Sequence, residues 1–195
     1  PKPFPKMSVE HFRTVMSKPR DSSTGPDGIP FSVYRHLVDI AAPLLYRYAL
    51  SLSHGGRTNK SFNFTNLFFF PKDESGGADR TRPISVSNTD NRIIANVVRR
   101  VISPNIYSIL DESQTAFAPG KHIEEPIYRF STKFYTAQSL GDSYSILFHD
   151  FAKAYDSMSR EYLFSLLRKI GTPAWVIRVI RSLYSNVVAF PILTD

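Results

Sequence analysis

The 195 residues are 42% hydrophobic and 13% aromatic, enough to bury a core, and 24 Lys and Arg against 17 Asp and Glu leave a net charge of +7. That excess suits polyanionic partners, nucleic acid above all, while on charge alone a merely basic soluble protein is an equal alternative. With no cysteine, disulfides and thiolate zinc sites are excluded, and the five His residues lack metal-ligand spacing.

No apolar stretch is long enough to cross a bilayer, since Leu67-Phe-Phe-Phe-Pro71 is only strand-length. There is no basic amphipathic helix, lipidation signal, secretory signal or transit peptide to suggest a membrane. The cysteine-free composition sets the expectation of an intracellular protein, in the nucleus or the mitochondrion.

The Pro-rich start, residues 1–6, reads as an extended arm. Ser8 then caps a short helix with Val9, Phe12, Val15 and Met16 on one side. Ser22-Ser-Thr-Gly-Pro-Asp-Gly28 is a structured turn. A helix follows from about Pro30, with Pro43 bending or dividing it before Ser53. Asn66 to Phe70 reads as a buried strand stopped by Pro71. A Gly-Gly loop returns the chain into Arg82-Pro-Ile-Ser-Val86, and Leu67–Phe70 with Ile84–Val86 form an antiparallel hairpin. From Asn88 a long helix carries Ile93, Ile94, Val97, Val98, Val101 and Ile102 as one apolar stripe, leaving Arg92, Asn96, Arg99 and Arg100 elsewhere on its surface.

A further helix spans Ile123 to Gln138, with Ile127, Phe130 and Phe134 facing inward. Ser143 to Phe151 reads as a strand. Tyr162, Leu163, Leu166, Leu167 and Ile170 form a helical stripe ended by Gly171. Thr172 caps the next helix and Pro173 takes its first position. Val188 to Leu193 is a strand, read as the first half of a hairpin. Strands alternating with helices predict a mixed α/β (α+β) fold.

The most informative stretch is Ile146-Leu-Phe-His-Asp-Phe-Ala-Lys-Ala-Tyr-Asp-Ser-Met158, where an apolar strand ends on Asp150. A carboxylate there is placed to hold Mg²⁺, and the carbonyl of Phe151 offers a second oxygen. An isolated strand-end Asp more often caps the following turn. This segment, however, resembles motif A of reverse transcriptases, especially those of non-LTR retrotransposons and group II introns. The resemblance makes Asp150 the metal-binding aspartate and Tyr155 the ring under the incoming sugar, with Asp156 and Ser157 structural.

Other pieces match the family in order. Thr24-Gly-Pro-Asp-Gly-Ile-Pro30 with Tyr34 is similar to the segment that opens these domains. Phe70-Pro-Lys72 and Arg82-Pro-Ile-Ser85 are similar to the two fingers strands, whose lysine and arginine contact the nucleotide triphosphate. Gln114-Thr-Ala-Phe-Ala-Pro-Gly-Lys121 resembles the segment near the template, and Gly171 and Leu183-Tyr184 fall at family positions. The implied division is an arm and short helix at 1–20, fingers at 21–140 and the start of the palm at 141–195. Lys72 and Arg82 on one hairpin also suit phosphate contact physically, while either alone would read as solvated charge. Arg92, Arg99, Arg100 and Lys121 are expected backbone contacts, with Gln114 and Phe117 along the template path.

Three departures bear on activity. Polymerisation in this family uses two metal ions, held by the motif A aspartate and a later Asp-Asp pair. No Asp-Asp pair occurs in the sequence, nor does the family's Gln-Gly motif, and the chain stops at Asp195 inside what the pattern makes the preceding hairpin. His149 replaces an apolar residue and Lys121 the commoner arginine. The expectation is a catalytically incomplete nucleic-acid-binding domain, RNA before DNA, serving as a scaffold in a ribonucleoprotein such as a mitochondrial ribosome. The alternatives are a fragment of an active polymerase, which alone would need Mg²⁺, and a remnant that binds only protein.

Overall fold

The computed structural model describes residues 3–17, 22–72, 80–143, 145–151, 154–155 and 157–192. In chain order these form α1 (Val9–Ser17), α2 (Phe31–His36), α3 (Val38–Ser53), β1 (Phe64–Pro71), β2 (Thr81–Ser87), α4 (Thr89–Tyr107), α5 (Glu124–Leu140), α6 (Arg160–Lys169), α7 (Ala174–Leu183) and β3 (Val188–Ile192). The fold is mixed α/β, as the alternation predicted. The chain divides into two compact units, one built from residues 103–163 with the first three residues, the other from residues 4–102 and 164–195.

In the larger unit, the α1 and α4 stripes named from the sequence form the core together with α3 and α7 residues that the sequence did not single out. Phe12, Val15 and Met16 of α1, Ala49 and Leu52 of α3, the α4 stripe from Ile93 to Val101, and Val176 and Val179 of α7 are all buried. At the start of α1, the Ser8 N–H donates to His11 Nδ1 at 3.2 Å and the hydroxyl lies 2.7 Å from the same nitrogen. The His11 ring thus supplies an acceptor for a Ser8 N–H that has no partner within the helix.

The helix break falls at Leu37 (φ −100°, ψ 26°), six residues before Pro43, which α3 carries inside it. The end of α3 is tightly closed. Gly55, at φ +94°, donates to Leu52 O and Gly56 to Ser51 O, which satisfies two terminal carbonyls.

The three-stranded sheet has the order β2-β1-β3. The predicted hairpin is present and antiparallel, with Phe68 opposite Ile84 and Phe70 opposite Arg82. The run at 66–70 is not a buried strand, however, because Phe69 and Phe70 are exposed and only Thr65 of β1 is buried. β3 pairs parallel with β1, Phe64 beside Val188; a second half of a β3 hairpin would fall outside the described residues.

Two expectations about α6 and α7 are corrected. The face of α6 that packs inward carries Phe164 and Leu167, while Tyr162 and Leu166 are exposed. Thr172 caps nothing: its hydroxyl is buried without a hydrogen-bond partner, and Pro173 itself occupies the N-cap of α7. Gly171, at φ +78°, does end α6, with Thr172 N–H returning to Leu167 O at 2.9 Å.

The smaller unit departs further. Described residues 145–151 form no strand, because a strand is stable only beside a partner that takes its backbone hydrogen bonds, and none of the described strands pairs with it. Nor do Ile127 and Phe130 of α5 face inward, since both are exposed and α5 has no buried residue. Phe130 and Phe134 instead line a groove of about 410 Å³ with Ile146 and Leu147.

Candidate nucleotide and nucleic-acid site

The best-formed element of the site is the tip of the β1–β2 hairpin. Lys72 N–H donates to Arg80 O at 2.8 Å, which continues the ladder one step past the Phe70–Arg82 and Pro71–Thr81 pairs. Side chains two residues apart on a strand share a face. Lys72 and Arg82 therefore project on one face at the base of the connecting loop, with Arg80 directly across from Lys72, and all three are exposed. Arg80 was missed in the sequence. Its signal was the alternation Arg80-Thr-Arg82, which puts both arginines on the same side.

Behind the hairpin, the Gly25-Pro-Asp-Gly28 turn is fixed to the start of α4. Gly28 N–H closes the turn on Gly25 O at 3.1 Å, and Asp27 Oδ1 accepts from Ile29 N–H. Asn88, only 2% exposed, accepts from Asp27 N–H at 3.2 Å and donates to Ser61 O at 2.9 Å. Thr89 Oγ1 donates to Ile29 O at 2.7 Å.

Arg92, expected on the outer surface of α4, is half-buried and turned into this assembly. Its guanidinium donates to Ser22 Oγ, Ser23 O and Thr89 Oγ1 at 2.9–3.0 Å. It holds the turn down, and burial lowers its pKa. Arg99 donates to Asn96 Oδ1, and Arg100 is exposed.

The remaining expected site residues belong to the smaller unit. Gln114 donates to Ala116 O at 3.1 Å, Lys121 pairs with Glu125 at 3.8 Å, and Phe117 is 88% exposed with a left-handed φ of 61°. Asp150 Oδ1 accepts the N–H of the next residue, Phe151, at 2.9 Å. Phe151 is exposed and Tyr155 is 89% exposed; Asp156 lies outside the described residues. No group of three or more His, Asp or Glu side chains among the described residues is arranged to hold a metal ion. Asp150 with one backbone carbonyl is too small a donor set for a two-metal centre.

The family model for reverse transcriptase (RNA-dependent DNA polymerase) matches residues 70–192, more than half of the chain. The chain belongs to the reverse transcriptase family. A transposon protein of Xenopus laevis, described as the transposon TX1 uncharacterized 149 kDa protein, is 21% identical over 169 residues, which cover 86% of this chain and 13% of that protein. The chain thus spans a small part of the relative it matches. No helix among the described residues is long and apolar enough to cross a membrane.

This reverse transcriptase chain carries a half-buried carboxylate that the motifs did not reveal. Asp90, in the first turn of α4, has its pKa raised to about 6: burial dominates, the Asn91 N–H opposes it, and the charge of Asp27 adds to the rise. Tyr34 is pushed up to about 12 by burial, with Asp90 and Asp27 contributing. Next to Asp90, Asn91 donates to Phe62 O and Asn63 Oδ1, while Asn63 donates to Ser182 O at 2.7 Å and to Ser185 O. Through Asn63 the start of β1 is tied to both α4 and the end of α7.

Proposed function

We propose that this chain is the nucleic-acid-binding fingers region of a non-LTR-type retrotransposon reverse transcriptase, catalytically incomplete as these 195 residues. The observation that carries the reading is the cluster of Lys72, Arg80 and Arg82 on one face at the hairpin tip. Three cations there suit a triphosphate or a run of backbone phosphates, because charge-assisted contacts to phosphate are among the strongest a surface can make. Arg99 and Arg100 in the same unit, and separately Lys121 and Gln114 in the smaller unit, supply further nucleic-acid contacts, with RNA preferred to DNA. Arg92 supports the turn behind the hairpin instead of reaching solvent.

A second reading is favoured by the resemblance to a 149 kDa transposon protein of which the chain covers 13%. In it, Asp150 contributes one ligand to Mg²⁺ in a polymerase whose other carboxylates lie on a longer chain, and Tyr155 lies under the incoming sugar. A scaffold role in a ribonucleoprotein would draw on the same basic face.

RNA binding tests the first reading. Neutralising about six phosphates gives a log–log salt slope of about −4 on a single strand. Replacing Lys72, Arg82 and Arg100 with Ala should flatten that slope by about 2, since each contact contributes about 0.7. A wild-type chain without salt-dependent affinity for RNA or DNA overturns the reading. Primer extension by this chain with Mg²⁺ or Mn²⁺ is expected to give no template-dependent product. Products that disappear in Asp150→Ala would contradict the incomplete donor set.

A further inference from the structure

At the end of β1 opposite the hairpin tip lies a cleft that the family motifs do not include. Its two connected parts, of about 470 and 300 Å³, share Thr58 and Asn186 and are lined by Arg57, Lys60, Arg181 and Ser185 among others. No carboxylate lines either part. Arg57, Lys60 and Arg181 are exposed and form no ion pair among the described residues. Uncompensated cations around a concave, hydroxyl- and amide-lined space favour an anion with several acceptor oxygens.

The walls are fixed. On one side, a Cβ on Gly56 would stand 2.3 Å from Ser51 Oγ and 2.9 Å from Ser51 O, so the loop 57–60 leaves the end of α3 in one direction. On the other, Asn63 holds the Ser182 and Ser185 carbonyls, and Ser185 Oγ donates to Ser182 O at 2.8 Å. Asn186, at the mouth, has a left-handed φ of 50°, a conformation that non-glycine residues seldom adopt. The Arg181 guanidinium lies over the Phe164 ring, 4.9 Å from its centroid. A cation over a ring face is held there by the ring's quadrupole.

We infer that the Arg57–Lys60–Arg181 cleft is a second phosphate-binding site, separate from the hairpin cations. β1 spans eight residues between them, about 25 Å of extended chain. The phosphate would come from the backbone of a bound nucleic acid, a source that rests on the nucleic-acid reading above, or from a free di- or triphosphate.

Two probes separate these sources. Sodium pyrophosphate is titrated into the isotope-labelled full chain while the amides of Thr58 and Asn186 are followed by NMR. In parallel, a labelled single-stranded RNA is bound by the wild type, by Arg57→Glu and by the hairpin variant Lys72→Ala. Arg57→Glu is the informative substitution because Arg57 is exposed and makes no side-chain hydrogen bond or ion pair among the described residues. Arg181→Lys, which keeps the charge and loses the planar fork, is the second variant.

The expected result is a pyrophosphate shift at Thr58 and Asn186 that Arg57→Glu weakens at least about tenfold, with a comparable loss of RNA affinity. Lys72→Ala should lower RNA affinity and leave the pyrophosphate response intact. A pyrophosphate response with unchanged RNA affinity supports the cleft as a site for free phosphate, whereas RNA loss without it supports a backbone contact. If the wild type binds no RNA, the nucleic-acid reading fails and the pyrophosphate arm alone decides the cleft. No shift at either amide, together with RNA affinity unaffected by Arg57→Glu, overturns the inference.

Discussion

Gly25→Ala is expected to destabilise the fold by about 3 kcal/mol, the upper range for a forced overlap in a packed interior. A Cβ at residue 25 would stand 2.4 Å from Asn88 Oδ1, 2.5 Å from Asn88 N and 2.6 Å from Asn88 Cα. Two of these three atoms are backbone, at the start of a helix whose next turns form the core, so the neighbour cannot give way. Asn88 is also held by its own hydrogen bonds to Ser61 and Asp27. Gly28→Ala makes the control. Gly28 has φ +70° with open space around it, so that change costs only about 1 kcal/mol of backbone strain. Denaturant melts of both variants should show the larger loss at position 25, and the reverse order would disprove the packing argument.

The second large effect is a pH dependence centred on Asp90. Its folded pKa is about 6, against an ordinary value of 3.8. Between those values the folded state holds a proton that the unfolded chain has lost, so stability falls as pH rises from about 4 to 6. Above that window the folded state carries a half-buried charge at a cost of up to about 3 kcal/mol, at roughly 1.4 kcal/mol per pKa unit. Asp90→Asn, which keeps an acceptor for the Asn91 N–H, should therefore stabilise the protein at pH 7.5 and change little near pH 4. Comparing the two proteins cancels the other carboxylates. Unfolding curves that stay parallel across this range would rule out the half-buried charge.

How far these features could be read from the sequence depends on whether their partners were local. The α4 stripe needed only helical spacing, and the hairpin needed two apolar runs with a Gly-Gly loop. Residues 145–151 have the composition of a strand, but a strand also needs a neighbour, and composition does not specify one. Arg92 lies on the polar side of α4 by spacing alone. It becomes half-buried because the 22–28 turn, some seventy positions upstream (70 for the Ser22 contact), folds over it. Thr172 before Pro173 reads as a cap, yet Pro173 can hold the extended N-cap conformation itself. The motif A resemblance pointed to Asp150, but an exposed carboxylate bonded only to the next residue's N–H carries no sign of the chemistry its family performs.

The β1–β3 pairing has a consequence for how the molecule is made. Asn63, just ahead of β1, bonds to Ser185, 122 positions later, and the smaller unit is encoded between the two halves of the larger one. During synthesis β1 and β2 can zip together early, whereas β3 leaves the ribosome only after the whole intervening stretch. Until then the outer edge of β1 offers unpaired backbone groups to any neighbouring chain. Late closure over a long loop also slows folding. Newly made protein should therefore be prone to aggregate from the emergence of β1 until β3 has left the ribosome, and slower elongation between the two would lengthen that exposure.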